Sequence, residues 1–149
     1  MAEMRQAIEL NPSFGAAQAI LGHMLTYAGQ PEETIELVEK AIRLSPTDPR
    51  LFIWLPALAA AHYQLRKYEQ AIETGRRSWT LNRNWPVGLR YVVAGFAQLD
   101  RLDEARVALA DLNKLDTDLA AFERVARRVF QDEAPVEHIL DGLRKAGMQ

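Results

Sequence analysis

The chain has 149 residues, 48% of them hydrophobic and 26% charged, the balance of one globular domain rather than of a disordered segment. Its net charge of −2 exerts no overall pull toward nucleic acid or an anionic membrane, and without cysteine there is no disulfide frame, thiolate metal site or thiol nucleophile. No apolar run matches the length of a membrane-spanning helix and no signal-peptide pattern opens the chain, so a cytoplasmic protein is the expectation.

Taken in order, residues 1–12 read as the second helix of a helical pair whose first helix is missing, with Ala7 and Pro12 in closing positions, so the chain is expected to be a piece of a longer protein. A helix over 13–28 follows, with Ser13 placed to cap it and Gly29 to end it. Pro31 opens the next helix at a first-turn position, where its missing N–H costs nothing, and that helix runs to residue 44. Asp48 can cap, and Pro49 can open, a third helix, inside which Pro56 removes the donor for the Phe52 carbonyl. Pro56 either kinks this helix near Phe52, the preferred reading, or the helix starts late, at 55 or 56.

The stretch 55–81 carries the plainest pattern. Leu55, Leu58, Ala59 and His62 fall at helical spacing on one side of a tight turn at Leu65, Arg66, Lys67 and Tyr68. Tyr68, Ala71, Ile72, Gly75, Ser78 and Trp79 do so on the other side, and the small Ala59 and Ala71 allow the two axes a close approach. Helices over 85–99 and 102–115 come next, divided by Asp100 and Arg101. Two more, over 118–130 and 135–146, have Pro135 at a start and Gly147 just past an end.

Pro12 closes AIELNP and Pro46 closes AIRLSP, 34 residues apart (46 − 12). Ala71 and Ala105 open AIETGRRSWTL and ARVALADLNKL at the same spacing (105 − 71), and the slip of register between the two series falls in 46–50. A helix–turn–helix period of about 34 residues is that of the tetratricopeptide repeat. The chain resembles that family at Leu21, Gly22, Ala41 and Pro46, again at Leu58, Ala59, Tyr68 and Ala71, and at Ala105. The resemblance implies an all-α fold, a right-handed tetratricopeptide superhelix (an α-solenoid of helix–turn–helix repeats) with C-terminal capping helices. It divides the chain into a partial repeat over 1–12, repeats over 13–48, 49–84 and 85–117, and a helical cap over 118–149.

A narrower resemblance covers about 46–148 through DPRLFIWLPALAAAHYQLRKYEQAIE, LDRLDEARVAL and the closing HILDGLRKAGM. These runs resemble the C-terminal repeat region of bacterial class III adenylate and guanylate cyclases, and related tails occur on other bacterial multidomain regulators. In that family the catalytic domain precedes the repeats. Nothing here matches its metal-binding carboxylates or purine-binding residues, so the resemblance implies a regulatory region and carries no catalytic role across.

Reactive constellations are missing from the sequence: no zinc-binding HExxH helix, no phosphate-cradling glycine loop, no GxSxG elbow. His62 reads as a helix-packing residue, His138 as a solvated one, and His23 as facing the inner side of the repeats. The acidic pairs Glu32 with Glu33 and Asp103 with Glu104 stand at helix starts, where carboxylates complement the helix dipole. Arg124, Arg127 and Arg128 share a helix face, but Asp116, Asp118, Glu123, Asp132 and Glu133 neutralise it, so neither nucleic acid nor membrane is an expected partner. No metal or cofactor is expected.

In the tetratricopeptide family the first helix of each pair lines a concave groove. The resemblance places Ala16, Ala19, His23, Thr26 and Tyr27 there from the first repeat, then Ile53, Pro56, Ala60, Tyr63 and Gln64. The third repeat adds Val87, Arg90, Ala94, Ala97 and Gln98. Chaperone-binding members hold a peptide carboxylate with Lys and Asn on this face; Ala19, His23 and Ala60 stand in those places here, and Arg90 alone could serve. The candidate partner contacts are therefore His23, Tyr27, Tyr63, Gln64, Arg90 and Gln98, meeting a protein or peptide segment in a non-catalytic interaction. The alternatives are a homodimerising module, and an accessory part of an enzyme whose active site lies in a neighbouring domain.

Overall fold

Apolar residues spaced three and four apart, punctuated by Pro and Gly, fix where the chain is helical. The computed structural model describes residues 1–115 and 118–149; Asp116 and Thr117, the last two positions of the 85–117 repeat, lie outside them. Among the described residues there are nine helices and no strand: α1 (Ala2–Leu10), α2 (Gly15–Tyr27), α3 (Pro31–Leu44), α4 (Leu51–Gln64), α5 (Tyr68–Leu81), α6 (Val87–Gln98), α7 (Leu102–Asn113), α8 (Leu119–Val129) and α9 (Glu133–Lys145). From α1 to α7 each helix packs on the next. A second series of contacts links α2 to α4, α4 to α6 and α6 to α9. Of these, α2, α4 and α6 form an inner row, with α3 and α5 each lying outside two of its members and α7 and α9 against α6. The arrangement is all-α and compatible with a helical repeat. No described helix is long and apolar enough to cross a membrane.

The inner row is made of helices that are apolar nearly all round. Trp54, Leu55, Ala57, Leu58, Ala59, Ala60, Ala61 and Tyr63 of α4 are all buried, as are Leu89, Tyr91, Val92, Val93, Ala94, Phe96 and Ala97 of α6. The outer helices bury one stripe each, such as Ala71, Ile72, Thr74, Gly75 and Ser78 on α5. Ala59 and Ala71 are both fully buried in one cluster, as close helix packing needs.

The turns within successive pairs repeat one backbone device. Gln30 N–H donates to Leu25 O at 3.0 Å, Lys67 to His62 O at 2.9 Å and Arg101 to Phe96 O at 2.9 Å, each closing the preceding helix around a left-handed residue. Those residues are Gly29, Arg66 and Asp100, with φ of +68°, +60° and +59°. Only the first is a glycine, and the other two hold a conformation that a side chain resists. The same bond from Met148 N–H to Leu143 O, at 3.0 Å, closes α9 around Gly147.

Pro56 lies within α4, which runs unbroken from Leu51 to Gln64, so the late start is excluded. The carbonyl that Pro56 deprives of a donor is repaired from outside: Ser78 on α5 donates its hydroxyl to Phe52 O at 2.8 Å. Pro49 does not open the helix. The Asp48 carboxylate accepts the Arg50 backbone N–H at 2.8 Å and grips its guanidinium at 2.7 and 2.9 Å, holding the chain in a turn up to Leu51. Ser13 likewise does not cap α2. Its hydroxyl donates to Asn11 Oδ1 at 2.8 Å, and the helix begins two residues later. Asp118 does cap, accepting the Ala121 N–H at the start of α8.

Candidate functional site

The six candidate residues stand on the inner row as expected, His23 and Tyr27 on α2, Tyr63 and Gln64 on α4, Arg90 and Gln98 on α6. What they face differs from an open groove. The C-terminal α9 packs on α6 and touches α4, and the segment that joins it to α8 reaches Tyr27 of α2. Ile139 and Leu143 of α9 are fully buried in the cluster that holds Tyr63, Ala94 and Ala97, each such burial contributing roughly 1.5–3 kcal/mol.

Tyr63 is the centre of this seal. It is 1% exposed. Its hydroxyl donates to the His138 carbonyl at 2.8 Å and accepts from Gln98 Nε2 at 3.0 Å. Burial pushes the phenol's pKa up, so it remains a protonated donor at neutral pH. Gln98 also donates to Asp141 Oδ2 at 3.1 Å and accepts Lys145 Nζ at 2.9 Å. Gly142 is what allows the approach: a Cβ there would collide with the Tyr63 hydroxyl and lie 2.7 Å from Ala94 Cβ.

His138 is not the solvated residue its position suggested. Its ring stacks at a tilt on Tyr63, centroids 4.4 Å apart, and its Nε2 shares a hydrogen bond of 2.8 Å with the Tyr68 hydroxyl. Burial, with Arg66 next, lowers its pKa. The sequence did hold a signal for a buried side of α9, though not for the surface that side meets. His138 and Gly142 are four apart, beside the apolar stripe of Ile139 and Leu143, so α9 presents a small residue and an aromatic on its buried side.

The other candidates divide in two. Tyr27 meets Phe130 edge-on at 5.0 Å between centroids, and its carbonyl accepts the Gln131 N–H at 2.9 Å. Arg90 lies with its guanidinium over the Phe122 ring, 4.9 Å from the centroid. Gln64 ties α4 to α2 by donating to Thr26 O at 3.1 Å. His23 shares a bond of 3.0 Å with the Tyr27 hydroxyl, and burial lowers its pKa. Tyr63 and Gln98 thus serve an internal contact, while His23 borders the part of the row that α8 and α9 leave uncovered.

Two hollows on this face border His23, Tyr27 and Arg90. One, of about 360 Å³, lies between α2, α6 and α8 and is lined by Tyr27, Val87, Arg90, Phe122, Val125 and Val129 among others. The second, of about 300 Å³, lies over α2 and α4 against Ala16, Ala19, Ile20, His23, Met24, Ile53 and Trp54. Away from it, Arg127 is held by Glu123 at 2.8 Å, by Glu133 at 2.7 Å and by Glu137, which satisfies the most prominent arginine of the predicted basic face. Among the described residues no group of three or more His, Asp or Glu is placed to hold a metal ion. Compared with protein-family models and with curated proteins, the chain matches none.

Proposed function

We propose that this chain is a non-catalytic protein-interaction module, a tetratricopeptide-type superhelix that serves as the regulatory part of a bacterial multidomain signalling protein such as a class III nucleotide cyclase. The observation that carries this reading is the uncovered apolar hollow over α2 and α4. Ile20 is 46% exposed, Met24 39% and Ile53 37%, and all three converge on one concavity rather than lying scattered. Apolar side chains in a concave setting, with His23 and Arg50 at hand for polar contacts, suit an amphipathic or extended peptide segment. Displaying random peptides to the whole chain tests it. The native protein should enrich peptides with apolar anchors, and Ile53→Asp should abolish that enrichment while the helical circular dichroism is kept. No enrichment, or enrichment indifferent to Ile53→Asp, overturns the reading.

Self-association is a second reading, favoured by α1. That helix buries no residue completely, and Leu10 at its end is 81% exposed with Phe14 exposed nearby. A second copy packing there would cover them both. Light scattering across a tenfold concentration range distinguishes the two: a constant monomer mass excludes this reading, and a dimer lost in Leu10→Gln supports it.

A further inference from the structure

Arginine cannot shed its charge, so when half-buried without an anion it loses water for a gain that an aromatic face returns only in part. Arg5, Arg50, Arg101, Arg106, Arg127 and Arg144 each stand within ion-pair distance of a carboxylate. The other arginines that lack such a partner are exposed, which costs them little. Arg90 alone among the described residues is both half-buried and without a carboxylate. Its Nε is shut off from solvent with no hydrogen-bond partner. One face of the guanidinium is covered by Phe122.

Beside it lies the hollow of about 360 Å³, within the size range of small-ligand sites. Its walls are apolar or aromatic, chiefly Phe122, Val125 and Val129 of α8 with Val87 of α6. Three other polar side chains line it, Tyr27, Tyr91 and Asp118; Tyr91 is buried, and Asp118 has one carboxylate oxygen engaged and keeps its charge at the start of α8. The Tyr27 hydroxyl bonds His23 at 3.0 Å. A guanidinium with no ion-pair partner and an unbonded Nε, at the wall of a mostly apolar hollow, is therefore the feature to be matched. A carboxylate answers the planar N–H fork in pairs. A phosphate dianion would bring a second charge that the apolar walls cannot answer.

We propose that the hollow between α2, α6 and α8 binds a small organic acid, a single carboxylate on an aromatic or short alkyl body. The carboxylate pairs with Arg90, and the body lies against Phe122, Val125 and Val129. This site is separate from the peptide-binding hollow over α2 and α4 and does not depend on it.

The test titrates the whole chain with 3-phenylpropionate and octanoate, and with their primary amides, following backbone amide shifts by NMR. At least one acid should saturate with a Kd on the order of 0.1–1 mM, and its amide should bind roughly tenfold more weakly or worse. The largest shifts should fall on α8 and on residues beside Arg90. Arg90→Met should erase the preference for acid over amide. Val125→Trp, which fills the hollow from an exposed position on α8 and leaves the arginine in the sequence, should block the acid in a protein of native thermal stability. Equal binding of acid and amide, no saturation of either acid by about 10 mM, shifts confined to another face, or a preference that survives Arg90→Met would each overturn the proposal.

Discussion

At the α6 end of the inner row, Tyr63, Ala94 and Gln98 lie beneath α9; at the α2 end, Ile20, His23 and Met24 meet solvent. Both ends are built from similar material, small residues with an occasional aromatic or polar side chain. Composition therefore does not decide which end is closed. What differs is the covering helix. Opposite Tyr63 and Ala94 the chain supplies Gly142, whose missing side chain lets α9 settle onto α4 and α6. His138, Asp141 and Lys145 supply polar partners spaced along the same helix. No described helix offers such a face to α2. The face of a helical row is a general acceptor of helices, and specificity comes from the element laid on it.

The largest effect should come from breaking the sealed end. Gly142→Val puts two methyl groups where no Cβ fits, against the Tyr63 hydroxyl and Ala94. Forced apart, α9 loses the Tyr63 bond as well as the burial of Ile139 and Leu143. A loss of about 3 kcal/mol, read from the urea midpoint, is the expected outcome. Gly142→Val unfolding at the native midpoint would mean that α9 is not seated on Tyr63.

A smaller effect concerns the floor beneath both ends. Ser78→Ala removes the donor to Phe52 O and leaves a carbonyl unpaired under α5, a cost of about 2 kcal/mol. Because Pro56 creates the need for that donor, Ser78→Ala should cost much less in a Pro56→Ala background, where residue 56 regains its own N–H. Equal costs in the two backgrounds would show that the serine does not repair the proline's damage.

Most of the helices were legible in the sequence because apolar spacing and Pro and Gly punctuation are local signals. The tight turn at Leu65–Lys67 and the small residues Ala59 and Ala71 are of this kind. Starts were read less well where a side chain chose a turn over a cap, as Asp48 does by holding Arg50 and Ser13 by bonding Asn11. Arg66 and Asp100 adopt the left-handed turn without being glycine, so composition could not mark them. The candidate residues stand on α2, α4 and α6, yet which of them are left uncovered was not legible. That depends on the Tyr63 contact with His138, 75 residues away in sequence, and no local pattern encodes it. Periodicity finds the apolar side of α9 but not the surface it will choose.

The smallest effect, and the one that reads both ends at once, is the titration of two histidines. Burial lowers the pKa of His23 at the open end and of His138 at the sealed end below the ordinary 6.5. The unfolded chain thus holds these protons more tightly than the folded one. Stability from both groups is whole above about pH 6.5 and is lost as the pH falls through that value toward the folded pKa values. The urea midpoint should decline as pH is lowered through this window, by less than Ser78→Ala lowers it, and more shallowly in His138→Gln. In Gly142→Val the two rings should part company. His138, released from Tyr63 and Tyr68, should titrate near 6.5 by NMR, while His23 keeps its lowered value because its burial among α2 and its neighbours does not depend on α9. If both rings return to 6.5 together, α9 and α2 share one cooperative unit, and the open end owes its order to the sealed one.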